Sequence, residues 1–154
     1  MLRCSPRTWG QITVSIEWLD HTADVAFRVT GNSVDDVFCE AARAVFSIMF
    51  SLDDIRPHVE KHVELFARSL PDLLVEWLSE LLAEKDLSGV VFSRFEAAIS
   101  GGNASGFVIT GQASGEPFDR ERHRPGTEVK GISLLGLDVS EHDHTWVAQV
   151  VVDV

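Results

Sequence analysis

The chain has 154 residues, with 24 Asp and Glu against 13 Lys and Arg, for a formal net charge of −11. That length suits one domain, and 45% hydrophobic residues, nine Phe and four Trp among them, supply a core. The acidic balance disfavours a surface that tracks nucleic-acid phosphates, so tight direct nucleic-acid binding is not expected; a basic partner, a bound cation or the plain solubility of a small acidic domain fits it. No apolar run approaches the roughly 18 residues of a membrane span, so a soluble protein with no membrane contact is expected.

Residues 1–15 carry Arg3 and Arg7 and no acid, and they lack the apolar run of a secretory signal. They read as a flexible leader, or as an early start codon, ahead of a single domain over 16–154. Cys4 and Cys39 give neither a disulfide framework nor a zinc spacing, so a reducing cytoplasm is the natural setting. Val14 to Leu19 and Val25 to Thr30 are short β-like runs flanking Asp20-His21-Thr22-Ala23-Asp24, which places that motif in a turn or at strand ends. Ser33 then caps a helix with Asp36 at its third position, and Val34, Val37, Phe38, Ala41, Ala42, Val45, Phe46 and Met49 form one apolar stripe.

Pro57 interrupts that pattern, and Val59, Lys61, Val63, Leu65 and Ala67 alternate as in a half-buried strand. A second helix follows Ser69, with Pro71 in its first turn and Leu74, Trp77, Leu78, Leu81 and Leu82 on its apolar face; Gly89 ends it. Val90 to Ile99 and Phe107 to Ala113 read as a hairpin around the glycine-rich turn Ser100 to Gly106. Gly115 to Gly126 reads as a charged loop holding the one locally basic patch, Arg120, Arg122, His123 and Arg124. Val129 to Val139 and Trp146 to Val152 close the chain as strands around the polar turn Glu141 to His144. Two helices and six or seven hairpin-linked strands predict an α+β domain of two layers, with both helices on one face of a largely antiparallel sheet.

The chain stops at Asp153-Val154, directly after an apolar strand, which holds these carboxylates at the edge of the folded body where they can face Asp24. Such carboxylates repel one another unless a cation or strong donors lie between them, so a hard-metal site is the first hypothesis, set against ordinary solvated Asp at strand ends. His21 reads either as a base or ligand or as a turn residue capping backbone donors. Cys39 is most simply a small packing residue. Lys130 either delivers a cation to the acidic site or a phosphate, or points outward from a strand; His142-Asp143-His144 reads as a hairpin tip without a third ligand nearby. No phosphate loop, nucleophile elbow, His-Glu-x-x-His or paired Cys motif occurs.

Taken together, Asp20 to Asp24, the helix opening Ser33 to Phe38, Leu73 to Leu82 followed by Gly89 to Phe92, Gly115 to Asp119 with His123, Glu128-Val129-Lys130 and the closing Asp153-Val154 resemble the archease family, in order, from about Glu17 to Val154. The resemblance implies a non-enzymatic accessory protein of the RtcB-type RNA ligase in tRNA splicing and RNA repair, promoting guanylylation and repeated turnover of the ligase. It implies that Asp24 and Asp153, with the Val154 terminus, hold a divalent metal. Oxygen-only ligands point to Ca²⁺, with Mg²⁺ or Mn²⁺ as substitutes. It links Lys130 to activity, and places Asp20, His21, Glu116 and His123 with it on the partner and activation side. Ser133-Leu134-Leu135 departs from the family's Thr-Tyr-His-like stretch, which leaves that histidine's role missing or moved. The alternatives are a metal-dependent phosphoester hydrolase using Asp24, Asp153 and Lys130 or His21, and a plain protein-interaction module.

Overall fold

A computed structural model describes residues 8–9, 12–19 and 24–154 of the chain. In order, the elements are β1 (Thr8–Trp9), β2 (Ile12–Thr13), β3 (Ser15–Leu19), β4 (Val25–Gly31), α1 (Val34–Met49), a 3₁₀ turn (Leu52–Asp54), β5 (Val59–Ala67), α2 (Leu70–Ser88), β6 (Val90–Gly102), β7 (Gly106–Pro117), a four-residue α3 (Arg120–His123), β8 (Gly131–His142) and β9 (Thr145–Asp153). Both long helices start where their caps predict. Ser33 Oγ accepts the Asp36 N–H at 3.1 Å and Ser69 Oγ accepts the Asp72 N–H at 3.2 Å, each satisfying an orphan donor of a first turn. Gly89 ends α2 at φ 74°, a left-handed cap that a side chain would strain.

Every strand pairing is antiparallel, but the strands divide into separate sheets in place of the single one expected: β3-β4-β9-β8, β5-β7-β6 and the short pair β1-β2. α1 packs on β4, β9 and β6, and α2 on β5, β7 and β8, so each helix covers strands of both larger sheets. This joins them around one core in which Phe27, Phe38, Phe46, Leu74, Trp77 and Phe92 are almost fully buried. Trp77 keys the helices to the sheet. Its Nε1–H donates to the Phe38 carbonyl of α1 at 3.0 Å, and its ring lies so close over Gly111 of β7 that a methyl there would sit 2.4 Å from Cζ3. Burying an indole with its one donor satisfied adds its hydrophobic gain without an orphaned polar group.

Four local differences from the sequence reading have physical causes. Part of the segment taken as a flexible leader is paired, Thr8 with Thr13 and Trp9 with Ile12, and β3 begins at Ser15. The supposed loop Gly115 to Gly126 is shorter, because β7 runs on to Pro117 and Asp119 Oδ1 caps α3 by accepting the Glu121 and Arg122 N–H groups. Ser133-Leu134-Leu135 opens a register shift between Ser133 and Asp138, with Gly136 at φ 79°, and leaves Leu134 and Leu135 largely exposed. Cys39 is fully buried and disulfide-bonded, which neither the cysteine count nor a reducing setting leads one to expect. The other cysteine of the sequence, Cys4, lies outside the described residues. No helix among the described residues is long and apolar enough to cross a membrane.

Candidate functional site at the strand ends

The order β3-β4-β9-β8 gathers the motif residues at one end of the four-stranded sheet. Val25 of β4 faces Val152 of β9, so Asp24 and Asp153 are the next residues outward on adjacent strands. On the other side of β9, Gly131 faces Asp153 and the Lys130 N–H donates to the Asp153 carbonyl at 2.8 Å. β3 ends at this same edge, since Leu19 faces Ala26. The Asp153 carboxylate leans toward β8, with Oδ2 3.9 Å from the position of a Cβ on Gly131, so the glycine leaves that approach open. Asp24 is half-buried, whereas Lys130, Asp153 and Val154 are exposed.

Backbone pairing alone therefore brings Asp24, Asp153, Val154 and Lys130 together from three separated stretches of chain. Asp20 and His21 lie outside the described residues. The donors available are carboxylate oxygens, the ligand type of a hard cation, but no group of three or more Asp, Glu, His or Cys side chains gathers among the described residues. Donor chemistry fits a divalent cation; donor number leaves coordination positions for water or for another molecule. His142 Nε2 lies 3.0 Å from Ser140 Oγ at the tip of the β8-β9 hairpin, where Asp143 and His144 take positive φ, so the structure keeps this cluster as a turn.

Glu116 and His123 belong elsewhere. The sequence reading set both among the partner-contacting residues, yet Glu116 is 6% exposed and His123 is 0% exposed. Glu116 Oε2 accepts the Arg56 N–H at 2.7 Å, the Arg122 guanidinium grips both carboxylate oxygens at 2.7 Å, and His123 Nε2 lies 3.0 Å from Oε2. Because His123 Nδ1 accepts the Asp119 N–H at 2.8 Å, the ring proton sits on Nε2 and is donated to Glu116. The Arg122 guanidinium, with the Arg56 N–H and His123, holds the Glu116 carboxyl well below the usual carboxylate range despite its burial. This is a clamp that fixes α3 onto the end of β7, with the His123 imidazole fully buried inside it. It also takes Arg122 out of the basic patch, and Arg124 leans toward Asp54 at 4.0 Å. Glu40 of α1, which no sequence motif marks, is buried with its Oε1 making no hydrogen bond among the described residues; burial raises its pKa, and Arg43 Nε lies 3.6 Å from Oε1.

Comparison with known proteins places this geometry. Residues 17–154 match the Archease protein family (MTH1598/TM1083). A protein archease of Methanopyrus kandleri is 38% identical over 137 residues, covering 89% of this chain and 97% of that one. One of Methanosarcina mazei is 36% identical over 138 residues, covering 90% and 94%. Among solved structures, the solution structure of Methanobacterium thermoautotrophicum protein 1598 superposes with a TM-score of 0.79 at 31% identity, covering 90% of this chain and 98% of that one. The crystal structure of a Thermotoga maritima archease, described as a possible chaperone, gives 0.58 at 20% identity, with 88% and 94% covered, and supports the fold. By family match, by relatives spanning nearly their whole length and by architecture, this chain belongs to the archease family.

Proposed function

We propose that the chain activates an RtcB-type RNA ligase in tRNA splicing and RNA repair, and is not itself an enzyme. The observation that carries the reading is the convergence of Asp24, Asp153 and Lys130 at one exposed sheet edge, in a member of the archease family. Three exposed or half-exposed charged groups on a rigid strand edge make a contact surface; they include no nucleophile with an adjacent base. Asp24 and Asp153, with Val154, would hold the divalent ion, Ca²⁺ by donor type with Mg²⁺ or Mn²⁺ as substitutes, and a bound ion there would supply positive charge to a group offered by the ligase. Lys130 presents a second positive charge beside it. Activation requires that this edge bind the guanylylation-competent ligase more tightly than the resting form, since equal affinity shifts no equilibrium.

The deciding experiment is incorporation of labelled GMP into the ligase with and without substoichiometric amounts of this protein. Faster guanylylation and repeated turnover are expected. Unchanged ligase kinetics overturn the reading, and phosphoester hydrolysis by the isolated chain that disappears in Asp24→Ala would replace it with the metal-dependent hydrolase.

A further inference from the structure

β8 lies at the open edge of its sheet, and its ladder with β9 breaks just beyond the acidic strand ends. Ser133 faces Val151 and Asp138 faces Gln149, so residues 134–137 stand opposite Val150 alone and bulge out of the ladder. Leu137 packs against the core, whereas Leu134 and Leu135 are 70% and 75% exposed. Hydrogen bonds hold this knuckle in place. The Leu135 N–H donates to Ser133 Oγ at 3.1 Å, and Gly136, at φ 79°, offers its carbonyl to Gln149 Nε2–H at 3.0 Å. Gln149 Oε1 in turn accepts from the Arg28 guanidinium at 2.9 Å, and Arg28 also donates to Glu17 at 3.1 Å, so side chains of β3, β4 and β9 fix the bulge across the sheet.

The two leucines continue into further apolar surface. Leu134 shares a groove of about 540 Å³ with Phe66 and Ala67 at the end of β5 and Val75 of α2, and Phe66 is 53% exposed. Single exposed apolar residues are ordinary, but a contiguous row of large ones marks a contact surface. Its rim carries Asp72 and Glu76 against Arg68, whose guanidinium is taken up over the Phe66 ring, 5.7 Å from the centroid. The row also adjoins the acidic edge: Ser133 is two strand residues, about 7 Å, from Gly131, which faces Asp153. One partner of ordinary interface size, about 800 Å² a side, covers both. A second copy of the chain is the poorer occupant, since each copy carries a net charge of −11 and the bulge removes the regular ladder that strand-to-strand pairing needs.

We infer that Leu134 and Leu135, with Phe66 beside them, insert into an apolar pocket of the partner that the acidic edge engages, a pocket with basic residues at its mouth to meet Asp72 and Glu76. This rests on the reading that the chain activates an RtcB-type ligase by docking on it. The two parts then have separate tasks: the knuckle supplies affinity and orientation, and the strand edge acts on the ligase's reacting site.

Titration of the RtcB-type ligase with the full chain tests this, read as binding by calorimetry and as guanylylation rate. In the double variant Leu134→Ser/Leu135→Ser, the Kd and the half-saturating concentration for guanylylation are both expected to rise about ten-fold or more, with the rate at saturation unchanged and Tm within about 2 °C of wild type. Glu76→Lys is expected to raise the Kd about three-fold or more by repelling the basic mouth; equal or tighter binding by that variant overturns that part. Leu87→Ser, at an exposed leucine eleven residues and about 17 Å further along α2 than Glu76, controls for lost surface hydrophobicity and is expected to shift the Kd less than about two-fold. A wild-type Kd in the double variant, an equal loss in Leu87→Ser, or a fall in the saturated rate alone overturns the inference and leaves the function reading standing. Failure of the wild type to bind the ligase overturns both. Sedimentation showing a wild-type dimer that the double variant dissolves assigns the knuckle to a second copy and overturns the inference as well.

Discussion

Replacing Glu116 with glutamine tests whether the clamp on α3 works through charge. The substitution keeps the shape, so no cavity forms, but it exchanges one acceptor oxygen for an NH₂ group among four converging donors from Arg56, Arg122 and His123. At least one charge-assisted bond, about 1.5–3 kcal/mol, is lost and a donor is left facing a donor. The Arg122 side chain is 36% exposed, so water recovers part of that cost. A net loss of about 2–4 kcal/mol is expected at pH 7, or roughly 4–16 °C in Tm for a domain of this size. The pH dependence gives the sharper check. Because the folded pKa of Glu116 is depressed below its ordinary 4.5, its contribution is complete above that pH and is lost as pH falls further. Urea unfolding of wild type and Glu116→Gln at pH 7 and pH 3.5 should therefore show a gap that narrows on acidification. A gap under about 1 kcal/mol at pH 7, or one equal at both pH values, would refute the charge argument.

Calcium should raise the Tm of the wild type by binding the native state alone, and Asp24→Asn or Asp153→Asn should abolish the increment; calorimetry showing no divalent binding at millimolar ion removes the metal from the proposal. Lys130→Ala should leave Tm within about 1 °C, since the side chain is exposed and the Lys130 N–H contact to Asp153 survives, yet cut ligase guanylylation at least ten-fold. Normal activation by that variant would assign the contact elsewhere. Gly111→Ala should cost about 2–4 kcal/mol, because the new methyl forces Trp77 off its position and off its bond to Phe38; denaturant titration showing less than about 1 kcal/mol would mean the indole has room to move.

What the sequence disclosed was local. Ser33 and Ser69 mark helix starts, Gly89 marks an end, and the alternation from Val59 to Ala67 marks a strand, because each signal is read within one turn or one pleat. The site was legible as motif residues, and Asp153 was expected to face Asp24 at the end of the last strand; the strand order that achieves this was not legible, since β4 meets β9 only by long-range pairing. α3 was hidden because four residues establish no period. The Glu116 clamp was not legible because an acid, an arginine six positions on and a histidine seven on share no helix face or strand face; only the bend at Asp119 folds them together.

The central position of β9 also has a kinetic consequence. The β6-β7 hairpin closes over a few residues, whereas the contact between Arg28 and Gln149 spans 121 positions. Loop-closure entropy alone separates the two events by about 3 kcal/mol, so helices and local hairpins, β8-β9 among them, have time to form before β9 pairs with β4. Until it does, Asp24 and Asp153 belong to different parts of an open chain. The acidic edge is thus assembled only when β9 pairs with β4, and a chain arrested before that pairing keeps its helices and local hairpins while Asp24 and Asp153 stay apart.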